Sequence, residues 1–220
     1  MDWRLNLCRR VTRYRSFEVD MKQRLMTCIG IVLLTGATAA AGETGETETA
    51  VFAGGCFWCM QPPYDELEGV VDTEVGYTGG TVENPGYDQV TGGGTGHLEA
   101  MRVEYDPDAV SYEQLLNVFW KNVDPLDDEG QFCDRGYHYT TAIFVKNDAQ
   151  REAAERSKQA LIESGRFQED IVTPIRDAKP FYLAEEYHQD YYQKRPVRYR
   201  FYRASCGRDG RLDELWGDSR

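Results

Sequence analysis

The chain has 220 residues, 41% of them hydrophobic, which suits one good-sized domain with a packed core. Its formal net charge of −12 argues against a nucleic-acid partner, because phosphate binding needs a basic stripe and none occurs beyond the N-terminal region. The same balance disfavours acidic partners.

The first 41 residues stand apart, with seven Lys/Arg against three Asp/Glu. Inside them a charged start at 21–24 precedes an apolar run at 25–34 and small residues with A-x-A spacing at Ala37 and Ala39. That order predicts a secretory signal peptide and an exported protein, periplasmic or secreted, or membrane-anchored if the leader stays uncleaved. The apolar run itself is about half of the roughly 20 residues that a membrane-spanning helix needs. Residues 1–41 therefore read as extension and leader, 42–49 as a polar Gly/Thr/Glu linker, and 50–220 as the folded domain.

From there the elements follow in order. "ETAVFAGG" reads as a strand ending at Gly54 and Gly55, and "CFWCMQPPYDEL" starts a helix that Pro62 and Pro63 interrupt after about two turns. "GVVDTEVGYTGG" reads as a strand closed by glycines, and 81–97 as a long Gly-rich loop of the kind that usually carries function. "LEAMRVEYDP" alternates as a strand does, and 111–124 has helical apolar spacing behind a Ser cap. An acidic loop, the strand "YTTAIFV" at 139–145 and the helix "DAQREAAERSKQALIESG" come next. This order predicts an α+β two-layer domain with helices on a mixed sheet. The Tyr- and Arg-rich run from Tyr182 to Arg203 reads as core or interface, or as a wall of a substrate groove.

Without the leader, four cysteines remain: Cys56, Cys59, Cys133 and Cys206. In an exported chain they could be structural disulfides. A zinc site would need Cys133, Cys206 or one of His97, His138 and His188 to complete the Cys56/Cys59 pair, and no second close pair exists. A thioredoxin-like dithiol is the second reading, because C-x-x-C at a helix start lowers a thiol pKa. The third is a lone nucleophile at Cys56, with Phe57 and Trp58 walling a small apolar site. Glu99, two residues into a strand behind the Gly-rich loop, would be partly buried and able to act as a general acid.

In this order, "GGCFWCM", "GYTGG", "NPGYDQV", "TGHLEAMRVEYDP" and "GQFCDRGYHYTTAIF" resemble peptide methionine sulfoxide reductase A over about residues 50–217. The resemblance implies a two-layer ferredoxin-like α+β sandwich, with helices on one side and long decorating loops. It also implies reduction of the S epimer of methionine sulfoxide, free or in proteins, in the service of oxidative damage repair. It places the nucleophile at Cys56, the methyl-binding aromatics at Phe57 and Trp58, the acid at Glu99, the oxygen-binding tyrosines at Tyr87 and Tyr139 and the active-site aspartate at Asp134.

A sulfenic acid left on Cys56 must be captured by a second thiol. The resemblance favours Cys206 as the resolving cysteine, with Cys59 and Cys133 as alternatives. It implies no metal and no bound organic cofactor, and a thioredoxin-like dithiol as electron donor; a monomer is the default expectation. The chain departs from many members in having Cys at position 59 where they have Gly, and His138-Tyr139-Thr140-Thr141 where they have Q-Y-R-S.

Overall fold

A computed structural model describes residues 45–217. The leader expected over 21–41, the boundary after residue 41 and the first residues of the linker lie outside the described residues. Strand β1 (Glu48–Gly54) starts inside the segment read as linker, and Glu48 and Thr49 already pair with Tyr105 and Glu104.

Four central strands form the sheet's frame in the order β6-β1-β3-β2, where β2 is Val70–Thr78, β3 Leu98–Tyr105 and β6 Thr141–Val145. With helices α1 (Phe57–Asp65) and α3 (Tyr112–Lys121) they complete the β-α-β-β-α-β arrangement of a ferredoxin-like domain. These strands pair antiparallel, and one parallel edge strand, β7 (Ile175–Asp177) on β6, makes the sheet mixed. On the other edge, β8 (Tyr182–Leu183) pairs with β2.

The strand alternation sorts side chains onto two faces. Phe52, Met101, Val103, Ile143 and Val145 face a core filled by Met60 and Tyr64 of α1 and by Leu115, Leu116 and Phe119 of α3. Ala153 and Ala154 of α4 (Asp148–Glu163) and Leu212 and Leu215 of α7 (Arg208–Trp216) close the same core. The opposite face is shallow: Ala53, Leu98, Ala100, Ala142 and Phe144 pack under Phe181 of a loop. The helices therefore lie on one side, as expected.

Ser111 caps α3 by accepting from the backbone N–H of Gln114, whose side chain returns a bond to the N–H of Ser111, as the Ser signal predicts. Pro62 and Pro63 do not stop α1, which runs through both to Asp65. The Gly-rich loop contains the short helix α2 (Tyr87–Thr91), and Tyr139 lies in a 3-10 turn (Tyr137–Tyr139) rather than in the following strand. Before that turn, β4 (Gly130–Gln131) and β5 (Asp134–Arg135) form a small hairpin.

The region after residue 165 was left largely without elements in the sequence reading. It forms the two edge strands, α5 (Tyr191–Lys194), α6 (Pro196–Ser205) and α7. Among the described residues, no helix is long and apolar enough to cross a membrane.

Candidate active site

The junction of β1 and α1 builds the centre. Gly55 has φ +81°, and a Cβ there would lie 2.5 Å from Cβ of Gln131, so only glycine fits the turn. The turn places Cys56 at the N-cap of α1, where unpaired backbone N–H groups and the helix dipole favour negative charge. Gln131, fully buried, anchors the hairpin by bonding both the N–H and the C=O of Asp124.

Glu99 is 1% exposed, and its Oε2 accepts the Phe57 backbone N–H at 3.1 Å. Burial pushes its carboxyl well above the usual carboxylate range; the bond from Phe57 opposes this, and the Asp134 carboxylate adds to it. Tyr87 and Tyr139 share a hydrogen bond, and burial raises both phenols, so both stay protonated. Glu99 and Cys56 raise both phenols further.

Cys56 and Cys59 are both buried free thiols joined by a hydrogen bond. Burial pushes the Cys56 thiol up. Cys59 is lowered to about 7, first by the bond from Cys56 and then by the cations of Arg208 and Arg203, against the cost of its burial. The two thiols therefore titrate as a pair, with Cys59 the lowered member.

Phe57 is buried and Trp58 half-buried, as aromatic walls require. Their surroundings come from residues to which the resemblance gave no role. Tyr191 stacks on Trp58 with ring centroids 3.8 Å apart. His188, 2% exposed, accepts the Trp58 indole N–H on Nδ1 at 3.1 Å and lies 5.1 Å from the Phe57 ring and 4.7 Å from the Tyr87 ring. Its Nε2 faces Glu185 at 3.8 Å, and Glu185 accepts from the Tyr87 N–H and the Tyr77 hydroxyl. His188 thus belongs to the aromatic cage.

Tyr202 is the third such residue. Its hydroxyl bonds Asp134 and Cys56, and it sits edge-on to Trp58. Burial raises the Asp134 carboxyl, against the bond from Tyr202 and the cations of Arg208 and His138. Arg208 is the fourth: 1% exposed, it donates to the backbone oxygens of Gly54 and Asn122 and lies over the Phe132 ring. The signal for Tyr191 and Tyr202 was the Tyr/Arg run, whose aromatics pack here both as core and as site walls.

The remaining cysteines are not free. Cys133 and Cys206 form a disulfide at the surface, so Cys206 is bonded to Cys133 rather than to Cys56. The Cys206 sulfur lies 3.9 Å from Asp134 Oδ2, one tyrosine hydroxyl away from Cys56. Among the described residues, Cys133, Asp134 and Cys206 are the group whose donor atoms converge as a metal's ligands would, and the disulfide engages two of the three sulfur and oxygen donors. A groove of about 320 Å³ opens between the Gly-rich loop (Gly94, His97) and the end of the hairpin with the 3-10 turn after it (Arg135, His138).

The sequence profile of the family described as peptide methionine sulfoxide reductase matches residues 48–220. The peptide methionine sulfoxide reductase MsrA of Bacillus licheniformis is 55% identical over 170 residues, covering 77% of this chain and 94% of the relative; that of Bacillus subtilis is 53% identical, covering 77% and 96%. Among solved structures, Mxr1 of Saccharomyces cerevisiae in reduced form superposes with a TM-score of 0.65 at 30% identity, covering 69% of this chain and 87% of that one. Methionine sulfoxide reductase A of Corynebacterium diphtheriae gives 0.61 at 32%, covering 71% and 78%. The chain belongs to the peptide methionine sulfoxide reductase A family and is an oxidoreductase that reduces methionine sulfoxide.

Proposed function

We propose that the protein reduces the S epimer of methionine sulfoxide, peptide-bound or free, through a sulfenic acid on Cys56. The observation that carries this reading is the meeting of a buried carboxyl, Glu99, with the Cys56 thiol and the Tyr87–Tyr139 pair at one helix N-terminus. A sulfoxide sulfur accepts a thiolate only if its oxygen receives a proton. Glu99 supplies that proton and the two phenols hold the oxygen. The sulfoxide sulfur gains two electrons, its S–O bond breaks, and the Cys56 sulfur leaves oxidised as S–OH.

Phe57 and Trp58 accept the S-methyl group, and fixing methyl, oxygen and thiolate in three directions selects one epimer. The groove at His97 and His138 leaves room for a polypeptide flanking the sulfoxide, which favours oxidised proteins as substrates. A second cysteine then captures the sulfenic acid, and the oxidation ends in the Cys133–Cys206 disulfide, whose Cys133 is exposed to a dithiol protein such as thioredoxin. Export, with the leader at 21–41, makes a thioredoxin-like donor outside the cytoplasm the matching partner.

The test mixes the purified, reduced protein with peptides carrying each epimer, with no recycling reductant. Methionine is expected from the S epimer alone, and not at all from Cys56→Ser. Equal yields from both epimers, or turnover by Cys56→Ser, would refute the reading.

A further inference from the structure

The aromatic wall at Trp58 and the phenol of Tyr87 meet at one carboxylate. Glu185 Oε1 accepts the backbone N–H of Tyr87, the first residue of α2, at 2.8 Å, and its Oε2 accepts the Tyr77 hydroxyl at 2.9 Å. The same Oε2 lies 3.8 Å from Nε2 of His188, whose Nδ1 accepts the Trp58 indole N–H at 3.1 Å. The segment that carries both residues is tied down. The His188 N–H bonds the Glu185 carbonyl at 2.8 Å, and the Gln189 amide grips β2 through the N–H and C=O of Val75, each at 2.9 Å.

These partners decide which nitrogen of His188 carries the proton. An indole N–H can only donate, so Nδ1 is the bare acceptor and the neutral ring holds its proton on Nε2. Burial lowers the His188 pKa, which keeps the ring neutral around pH 7. Among the described residues, the buried Nε2 has no hydrogen-bond partner. The rings packed around His188, from Phe57, Trp58, Tyr87 and Tyr187, carry no charge, and the charge that faces it is that of Glu185. Against the cost of burial, the bonds from backbone N–H groups and from Tyr77 hold the Glu185 carboxyl below its usual range, so it is ionised. At 3.8 Å the contact is longer than a hydrogen bond, and it acts as attraction between a carboxylate and an N–H dipole.

We propose that Glu185 is a positioning residue for the sulfoxide, holding the methyl wall through His188 and Trp58 and the oxygen wall through Tyr87. The inference rests on the roles given above to Trp58 and Tyr87, and it names the group that keeps the two in register. Glu185 acts through these residues and takes no proton in the reaction. Its two oxygens serve the two walls separately, so the walls can be loosened one at a time. In Glu185→Gln the amide oxygen still accepts the Tyr87 N–H, and the amide NH2 turns to the Tyr77 oxygen, which can accept. The oxygen wall is kept, while the Nε2–H of His188 now faces a donor in place of a negative charge.

The test measures steady-state kinetics of the full-length protein on a peptide carrying the S-sulfoxide, with dithiothreitol as reductant. Glu185→Ala is expected to raise KM and lower kcat, each by roughly fivefold, as the loss of one hydrogen bond on each wall predicts. Glu185→Gln should show the KM rise alone, with kcat within about twofold of wild type. Combined with His188→Ala, it should raise KM no further, because both changes act through Trp58. In two-dimensional 1H–15N spectra of Glu185→Gln, the Trp58 indole resonance should move, while those of Trp120 and Trp216, bonded to Ser157 and Val123, stay in place. An unmoved Trp58 resonance with unchanged KM would overturn the proposal, as would equal losses of kcat in the Gln and Ala variants, which mark a structural prop. Either result leaves the reductase reading intact, whereas a wild type that makes no methionine from the S epimer overturns both. Should Glu185→Ala fail to fold, the KM of Glu185→Gln and its indole spectrum decide.

Discussion

The carboxyl of Glu99 accepts the backbone N–H of Phe57 at 3.1 Å, which ties the second residue of β3 to the first residue of the helix that carries Cys56. The bond holds the Glu99 carboxyl at the start of the helix that Cys56 caps, across 42 residues of sequence, and burial keeps that carboxyl protonated.

Glu99→Gln keeps the shape and removes the transferable proton. Its kcat/KM for sulfoxide is expected to fall by about 10²-fold or more. The raised Glu99 pKa also sets a sign. A carboxyl raised in the folded state contributes stability below its unfolded pKa of about 4.3 and loses it as pH rises through the folded value. Denaturant titrations across that range should show wild-type stability falling with pH relative to Glu99→Gln, and parallel profiles would sink the assignment of a buried neutral acid.

His188→Ala removes the acceptor of the Trp58 indole N–H. Losing one hydrogen bond of about 1 kcal/mol corresponds to a rise of roughly fivefold in KM for the sulfoxide, with a smaller change in kcat. Burial lowers the His188 pKa, so the ring is a neutral acceptor around neutral pH. Steady-state kinetics that show an unchanged KM would remove His188 from the substrate cage.

Gly55→Ala forces a Cβ into a left-handed residue and against Gln131. Left-handed backbone alone costs an L-residue roughly 1–2 kcal/mol, and the overlap adds to it. Chemical denaturation should register at least that loss, accompanied by reduced activity because the same turn aims Cys56.

Arg208→Met removes a buried cation that helps hold the Cys59 thiol down at about 7. The midpoint of thiol alkylation against pH is expected to move upward from about 7 in the variant. An unmoved midpoint would leave Arg208 as a backbone clamp between Gly54 and Asn122 only.

Much of the molecule was readable beforehand, for definite reasons. The strands β1, β2 and β3 and the helices α3 and α4 carry periodicities of two or near 3.6 that burial alone imposes. The region after residue 165 hid its elements because β7 and β8 are only three and two residues long, and α6 buries a single residue, Tyr199. Such segments hold their form through contacts with the rest of the domain, which no local pattern records. The partner of His188 was hidden for a related reason: an indole 130 residues away leaves no trace beside it in the chain.

Sequence by itself determined the family, the cysteine at the helix start in "GGCFWC" and the strand position of Glu99, because a helix-capping thiol and a strand carboxyl are local placements joined to a specific order of motifs. Tertiary structure alone decided how the cysteines pair. Cys133 and Cys206 are 73 residues apart and become partners only when α6 packs beside the hairpin. The cage of Tyr191, His188 and Tyr202 around Trp58 is likewise a product of folding, since side chains distant in sequence acquire their chemistry from the neighbours that burial brings to them.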